Sequence, residues 1–384
     1  MSDWRRVTVT DVAVPKGLVG GPFGSSLGSK DYVAAGVPVI RGSNLGSLGT
    51  FDARDFVYVT PEKANGQLAR NQARPGDVVF TQRGTLGQVG IVPAEPHDCY
   101  VISQSQMRLR VDRSVTTPEF VYYQFRSPEM VRNIHSRAIT AGVPHINLGI
   151  LASLGFVLPP LEVQQDIVTV LGALDAKIAV NERIAATALE LGSAKFRLLR
   201  ESATETTTVG DLVELKYGKA LPAARRVAGD VPVFGSGGVS GSHDEPLVKG
   251  PGVIIGRKGT VGAVYWSEVD FFPIDTTFYV VCANGRVSLE YMYFALKGLG
   301  LEHMNSDSAV PGLNRERARS LSLRIPESDA VQEFTADVGN LFRLQRSLEE
   351  ESRTLATLRD TLLPPLMSGR LRVKDAEKIV EDAT

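Results

Sequence analysis

Two glycine-paced segments carry polar side chains in a similar order. The first is TQRGTLGQVGIV (81–92) and the second is IGRKGTVGAV (255–264). Glycine lets the backbone turn tightly and approach a ligand closely, while the side chains of arginine, lysine, glutamine and threonine can donate hydrogen bonds to phosphates and base edges. Both segments could therefore contact a nucleic acid. A plain β-hairpin turn is the alternative, and the recurrence of the segment counts against it.

Two other motifs match catalytic signatures only in part. GSSLG (24–28) offers Ser26 as a nucleophile but lacks the flanking strand and helix of a hydrolase elbow. Glu162 with DAK (175–177) imitates the acids of a metal-dependent nuclease, yet both acids fall in a helical pattern. Neither glycine segment has P-loop spacing, and no G-x-G-x-x-G motif opens a helix after a strand. The sequence predicts no catalytic site, no metal site and no cofactor bound by the chain itself.

The composition indicates a globular chain long enough for two domains. It has 384 residues, of which 43% are hydrophobic and 22% charged, with a net charge of −1 that argues against a simple basic DNA-binding domain. The two cysteines lack CxxC spacing and the five histidines are scattered, so neither a disulfide framework nor a zinc site is indicated. Without an apolar run of roughly 20 residues or a signal-peptide core, we expect a cytoplasmic protein with no membrane span.

The same order of features occurs twice along the chain. GVPVIRGSNLG (36–46) matches DVPVFGSGGVSG (230–241), and PEFVYYQFRS (118–127) resembles LEYMYFALKG (289–298). Further on, four residues return at one constant offset: Val143, Pro144, Asn147 and Pro159 recur as Val310, Pro311, Asn314 and Pro326. The sequence therefore predicts an internal structural repeat.

Each half begins with short runs that predict β-strands, because they are rich in β-branched residues and bounded by glycine, proline or aspartate. In the first half these runs are VPVI (37–40), DVVFTQ (77–82), GIV (90–92) and MRLRV (107–111). In the second half they are VPVF (231–234), GVIIG (252–256), AVYW (263–266) and TFYVVC (277–282).

Each half ends in a pattern that predicts one long helix, over 161–200 and 330–363. Apolar residues recur at spacings of three and four, with a few polar residues in the seam. The first seam contains Ile167, Leu171, Leu174, Ile178, Asn181, Ile184, Ala188 and Leu191. The second contains Val331, Phe334, Val338, Leu341, Gln345, Leu348, Ser352, Leu355, Arg359 and Leu362. Helices on the order of 50–60 Å long overhang a small domain, so we expect the two to pair with each other.

These features together resemble the DNA-specificity subunit of type I restriction–modification systems. LPPLEVQQDIVTVLGALDAKIAVNE (158–182) is similar to a family segment of the form PP-x-x-E-Q followed by I, L, L-D and I. The matching residues are Pro159, Pro160, Gln164, Ile167, Leu171, Leu174, Asp175 and Ile178. Residues 218–280 resemble the second recognition domain of the family, whereas IPESDAVQEF (325–334) departs from it by lacking the paired prolines.

The resemblance implies a non-catalytic α+β protein with two β-rich target recognition domains (1–158 and 206–325). Each is followed by a helix (159–205 and 326–370), and the helices pair as an antiparallel coiled coil in a pseudo-twofold repeat that ends in a tail (371–384). The implied ligand is double-stranded DNA with a split recognition site. The implied partners are two methyltransferase subunits and the restriction subunits, which would bind S-adenosylmethionine, ATP and magnesium.

The candidate DNA contacts are loop residues in each half whose side chains can form hydrogen bonds with bases or phosphates. In the first half they are Arg41, Asn44, Gln82, Arg83, Thr85, Ser103, Gln104 and Gln106. In the second half they are Ser236, Arg257, Lys258, Thr260, Asp275 and Thr276. We expect Asn147 and Asn314 to cap the following backbone instead, and PIDTTF (273–278) could simply close a hairpin.

Two other functions remain open on the sequence alone. One is a coiled-coil scaffold whose β-rich domains bind protein or glycan, and the other is an enzyme with an unrecognised site. Neighbouring genes for an adenine methyltransferase and a large helicase-nuclease would separate both from DNA recognition.

Overall fold

The first half of the chain folds into short strands and helices that lead into one long helix. The computed structural model describes residues 4–46, 51–53, 55–283, 285–304 and 312–383. The first-half elements are β1 (Arg5–Thr8), β2 (Ala13–Gly20), β3 (Val37–Ile40), β4 (Val57–Val59), α1 (Pro61–Asn65), β5 (Gln72–Ala73), β6 (Val78–Thr81), β7 (Val89–Ile91), β8 (Tyr100–Ile102), β9 (Gln106–Val111), α2 (Pro118–Arg126), α3 (Pro128–Ser136), α4 (Leu148–Ser153), β10 (Gly155–Leu158) and α5 (Leu161–Glu201).

The second half follows a similar order without counterparts of α1, β5 and α3, and it adds a short helix after its first strand and a short terminal helix. Its elements are β11 (Glu205–Thr208), α6 (Val209–Leu212), β12 (Val213–Tyr217), β13 (Val231–Gly235), β14 (Gly238–His243), β15 (Gly252–Gly256), β16 (Val264–Ser267), β17 (Phe272–Pro273), β18 (Thr277–Cys282), α7 (Leu289–Lys297), α8 (Arg315–Arg319), β19 (Ser322–Ile325), α9 (Ser328–Met367) and α10 (Val373–Ala383).

The chain divides into two compact units with matching sheets. The first unit comprises residues 1–180 and 352–384, and the second comprises residues 181–351. The main antiparallel sheet has the order β2-β9-β6-β7 in the first unit and β12-β18-β15-β16 in the second. A smaller sheet contains a parallel pair in both units, β3 with β8 and β13 with β17. The predicted repeat is confirmed, although Val310 and Pro311 lie outside the described residues.

The predicted strands are confirmed, and most of them are deeply buried. All four residues of β6 and all five of β15 are buried, so each appears in the sequence as an unbroken apolar run. The pairs β1–β10 and β11–β19 were not predicted. The strand β11, ETTT (205–208), is polar and partly exposed, and the strands of both pairs lie far apart in the chain.

The two long helices pair in antiparallel fashion, as the seam predicts. In the first unit, Asp175 on α5 forms an ion pair with Arg359 on α9. In the second unit, Asn181 donates a 2.8 Å hydrogen bond to Glu351, and Lys195 approaches Asp337 to 2.6 Å. Partner positions on α9 fall as positions on α5 rise, which defines the antiparallel direction.

Part of the predicted seam is wrong. Ile184 and Leu191 are 41% and 46% exposed. The spacing of four and three continues from buried Asn181 through Ala185 and Ala188 to buried Gly192, so the small residues face the interior. Ile184 and Leu191 lie on a neighbouring face of the same helix.

The second helix also differs from its prediction, both in its seam and at its end. Phe342 is buried and Leu341 only partly so, which moves one seam position by one residue. The helix continues to Met367 through Pro364 and Pro365. A proline inside a helix costs about 3 kcal/mol, and burial of the neighbouring side chains of Leu362, Leu363, Leu366 and Met367 offsets that cost.

The predicted tail contains helix α10, which belongs to the first unit. Ala376 is fully buried, and Val373 and Val380 pack against the core of that unit. Gly369 has a φ of +70°, and a Cβ at this position would lie 3.1 Å from the Trp4 ring. The turn between α9 and α10 thus packs against Trp4, just before β1.

Candidate nucleic-acid interface

The glycine loop of the first unit connects β6 to β7 and is held by backbone hydrogen bonds. The N–H groups of Gln82 and Arg83 both donate to the Ser105 carbonyl, at 2.7 and 3.4 Å. The Gln82 carbonyl accepts from Ile146 at 3.0 Å. Gly84 has a φ of +101°, a conformation that L side chains rarely adopt.

The glycine loop of the second unit connects β15 to β16 and has the same hydrogen bonds. The N–H groups of Arg257 and Lys258 donate to the Thr276 carbonyl at 2.8 and 3.2 Å, and the Arg257 carbonyl accepts from Leu313 at 2.8 Å. Gly259 has a φ of +85°. These contacts pair Gln82 with Arg257, Arg83 with Lys258 and Thr85 with Thr260.

A second loop packs against the turn that supports each glycine loop. In the first unit, a Cβ on Gly21 would lie 2.3 Å from the Ser103 carbonyl oxygen. In the second unit, a Cβ on Gly218 would lie 2.2 Å from the Ile274 carbonyl oxygen. Only glycine allows these approaches, so three loops of each unit converge at one edge of its main sheet.

The first-unit candidates differ in accessibility. Arg83, Thr85 and Gln104 are exposed, although Gln104 also donates a 2.6 Å hydrogen bond to the Leu27 carbonyl. Gln82 and Ser103 are half-buried, and Ser103 donates a hydrogen bond to the buried Gln106.

Arg41 and Asn44 hold the loop between β3 and β4. Asn44 is fully buried, accepts from the Arg41 N–H at 2.9 Å and donates to the Asp52 carbonyl at 3.1 Å. The half-buried Arg41 guanidinium donates to the Asp55 carbonyl at 2.6 Å. Asn44 and Gln106 therefore face the interior in this conformation, and their contact with DNA stays a prediction.

The second-unit candidates are mostly accessible. Lys258, Thr260 and Asp275 are exposed, while Ser236, Arg257 and Thr276 are half-buried. The carbonyl of Ser236 accepts a 3.0 Å hydrogen bond from the Tyr265 hydroxyl. Burial raises the pKa of that tyrosine. The glycine loop thus lies beside residues that can donate or accept hydrogen bonds.

Two aromatic residues at these edges were missed by the sequence analysis. Phe23 follows Gly21 and Pro22 and is 93% exposed. Tyr217 is 49% exposed, with the guanidinium groups of Arg257 and Arg315 at 5.1 and 5.3 Å from its ring centre. The available signal was an aromatic residue within three residues of the end of the first strand of each main sheet, next to a glycine or a Gly-Pro pair, where an exposed turn is normally polar.

The two asparagines of the repeat are helix caps, as predicted. Asn147 accepts a 2.8 Å hydrogen bond from the Ile150 N–H at the start of α4. Asn314 accepts a 3.0 Å hydrogen bond from the Arg317 N–H at the start of α8.

The acids that imitate a nuclease do not converge. Thirteen residues of α5 place Glu162 and Asp175 about 20 Å apart, and Asp175 is engaged by Tyr123 and Arg359. Within the described parts of the chain, no three acidic, histidine or cysteine side chains form a potential metal site. No helix among the described residues is long and apolar enough to cross a membrane.

Similar proteins share this arrangement. The S subunit of a type I restriction–modification system from M. genitalium has the same fold, with a TM-score of 0.61, 19% identity, and coverage of 95% of this chain and 96% of that one. The HsdS subunit from Thermoanaerobacter tengcongensis aligns with a TM-score of 0.40 and 16% identity, over 97% and 98% of the two chains. No protein of curated function matches the sequence significantly.

A family model covers most of the chain. The model described as the type I restriction modification DNA specificity domain matches residues 1–190 and 201–354, one match in each half. The two matches agree with the internal repeat of the fold. The chain therefore belongs to the family of DNA-specificity subunits of type I restriction–modification systems, which are not themselves enzymes.

Proposed function

We propose that the protein reads a split site on double-stranded DNA, one half with each β-rich domain. In this proposal residues 1–158 and 206–325 are the recognition domains, and 159–205 and 326–370 are helical spacers. The main observation that supports this proposal is that both units hold their glycine loop with the same hydrogen bonds but present different side chains. A common backbone with different donors is suited to reading two different half-sites.

The donors for DNA in this proposal are the exposed loop residues. Arg83, Thr85, Lys258 and Thr260 project from the glycine loops, and Gln82 and Arg257 lie at their bases. Asparagine and glutamine suit adenine edges, arginine suits guanine edges, and all these donors can bind phosphate. Asn44, Ser103 and Gln106 stay predicted DNA contacts, and in this conformation their hydrogen bonds also hold the loops.

The catalytic steps in this proposal belong to partner subunits. Two methyltransferase subunits would dock on the helical and adjoining surfaces, and restriction subunits would join them. S-adenosylmethionine, ATP and magnesium would be bound by those partners. Such an assembly acts on the genome, so we place it in the cytoplasm.

Alanine substitution in each loop tests the proposal. We expect Arg83→Ala and Arg257→Ala each to weaken binding of the assembled complex to its site. If the arginine contacts a base, the loss is about 1–3 kcal/mol and concentrated at one half-site; if it contacts a phosphate, the loss is similar for all sequences and the salt dependence falls. Titration of labelled duplexes at several salt concentrations measures both.

Two exposed cations provide matched controls. Arg74 precedes β6 and Lys249 precedes β15, so each lies at the end of its strand opposite the glycine loop. Arg74→Ala and Lys249→Ala should leave binding unchanged. If all four variants bound the site as tightly as the wild type, the loops would be plain turns and the scaffold function would be favoured.

A further inference from the structure

The second unit carries two arginines on one exposed tyrosine. Tyr217 ends β12, Arg257 directly follows β15, and Arg315 begins α8. Pairing of Tyr217 with Phe278, and of Gly256 with Thr277, brings the first two to the same edge of the main sheet. We call Tyr217, Arg257 and Arg315 the arginine platform.

The platform is supported from below and along the backbone. Phe278 is fully buried, and its ring centre lies 4.9 Å from that of Tyr217. The Arg257 guanidinium also lies 5.9 Å from the centre of the Phe278 ring. Arg315 follows the capping residue Asn314, and its Nε lies 3.1 Å from Glu316. The Tyr217 ring therefore contacts both planar guanidinium groups, and the Glu316 carboxylate also holds the Nε of Arg315.

The first unit has the same frame without this chemistry. Gly20 lies opposite Met107 as Tyr217 lies opposite Phe278. The glycine loops pair Gln82 with Arg257, and the caps pair Leu148 with Arg315. The first unit thus has glycine, glutamine and leucine at the positions where the second unit has tyrosine and two arginines. Because the two units share the fold, we attribute the platform to a difference in ligand.

Because the Tyr217 ring holds the guanidinium groups in place, a base edge suits them better as a ligand than a phosphate does. A phosphate accepts hydrogen bonds from many directions and a mobile lysine serves it well. Guanine presents O6 and N7 side by side in the major groove, and a guanidinium must match their plane to bind both. An aromatic face that fixes this plane lowers the entropy lost on binding.

We infer that Tyr217 is a positioning residue that orients Arg257 and Arg315 to recognise guanine in the half-site read by the second unit. The inference rests on the proposed DNA-reading function.

Charge-conserving variants separate base recognition from phosphate binding. Methylation mapping by the complete complex first gives the wild-type site, and a duplex with 7-deazaguanine then removes the N7 acceptor while preserving base pairing. We expect the wild-type complex to lose roughly 10- to 100-fold in affinity for a duplex carrying 7-deazaguanine in the second half-site. Arg257→Lys and Arg315→Lys should each discriminate less between the two duplexes, since lysine keeps the charge but not the planar fork.

Variants of the tyrosine test its positioning role. Tyr217→Phe keeps the aromatic face and should discriminate between the two duplexes like the wild type. Tyr217→Leu should lose most of the discrimination while keeping the salt dependence of binding, because both positive charges remain. Lys249→Arg provides a control for added guanidinium at the far end of β15, and thermal melting verifies that each variant is folded.

Two results would overturn the inference. One is a second half-site without guanine, and the other is full discrimination by Arg257→Lys and Arg315→Lys together. In either case binding to a split site would leave the proposed function intact. Failure of the wild-type complex to bind any split site would instead refute the proposed function itself.

Discussion

At the scale of single residues, Asp175 joins three helices of the first unit. Its carboxylate accepts hydrogen bonds from Tyr123 on α2, at 2.7 Å, and from Arg359 on α9, at 2.5 Å. Burial, reinforced by the carboxylate, raises the pKa of Tyr123 well above its usual range. Burial disfavours the charge on Arg359, but Asp175 and Asp360 outweigh it and raise the pKa of Arg359. The acid that imitates a nuclease motif is therefore structural.

Loss of Asp175 should strongly destabilise the first unit. The Arg359 side chain is only 4% exposed, so Asp175→Ala leaves a buried charge with Asp360 as its remaining partner. We expect the free energy of unfolding in urea to fall by about 3 kcal/mol, and less in Asp175→Leu/Arg359→Met, which removes both charges. Asp337→Ala is the control, because its ion pair with Lys195 is exposed and should contribute at most about 1 kcal/mol. A double variant as unstable as Asp175→Ala would disprove the charge argument.

Local chemistry explains which site residues could be recognised from the sequence. Asn147 and Asn314 cap the backbone three residues ahead, so their role is set by their immediate neighbours. The contacts of Tyr217 come from Arg257 and Arg315, which are distant in the chain. Spacing along the sequence carries no signal for such a cluster.

At the scale of elements, the long helices were predictable in type but not in every facing residue. A 41-residue helix with two apolar stripes gives ambiguous spacing, and Ile184 and Leu191 belong to the outer stripe. The inner stripe continues through Ala188 and Gly192 because Phe294 fills the space beside Gly192, where a Cβ would lie 2.8 Å from its ring. A residue from another element thus decides which side of the helix is buried.

The helices also lead to a prediction about spacing in the DNA site. If they act as a rigid ruler, four residues inserted after Ala185 add about 6 Å, or roughly one to two base pairs. Because four residues nearly complete a helical turn, the seam stays close to phase. We expect the assembled complex to keep both half-site sequences and to prefer a spacer longer by one or two base pairs.

Methylation mapping by sequencing would measure this change. A companion variant with four further residues after Ser347, the position that the Asn181–Glu351 and Lys195–Asp337 pairs place opposite Ala185, tests whether matched lengthening is required. An unchanged spacer with altered half-site bases would show that the helices only provide a docking surface.

At the scale of the whole molecule, the internal repeat was the most predictable feature. Matching segments in each half fold into sheets with the same strand order, while the side chains on their glycine loops differ. Residue types that support the fold can be recognised by their recurrence. The predicted DNA contacts in the two glycine loops differ between the halves, so recurrence locates the loops but does not show which side chains contact DNA.

The whole chain should be inactive without its partners. We expect no methyl transfer when the purified protein is incubated with S-adenosylmethionine and DNA, and no cleavage when ATP and magnesium are added. Methylation should begin once the methyltransferase subunit is supplied. Tritium transfer from labelled S-adenosylmethionine measures this, and label incorporated by the isolated chain would contradict the assignment of catalysis to the partners.

The first unit is built from two separate stretches of the chain, and this limits the order in which the protein can fold during synthesis. This unit needs residues 352–384, whereas the second unit is one continuous segment, 181–351. A ribosome adding about 5–20 residues per second therefore releases all of the second unit before the first can close. Helix α10 and Gly369 follow the second unit in the chain, and Gly369 packs against the ring of Trp4, which precedes it. A chain truncated after residue 351 would thus contain all of the second unit but only part of the first.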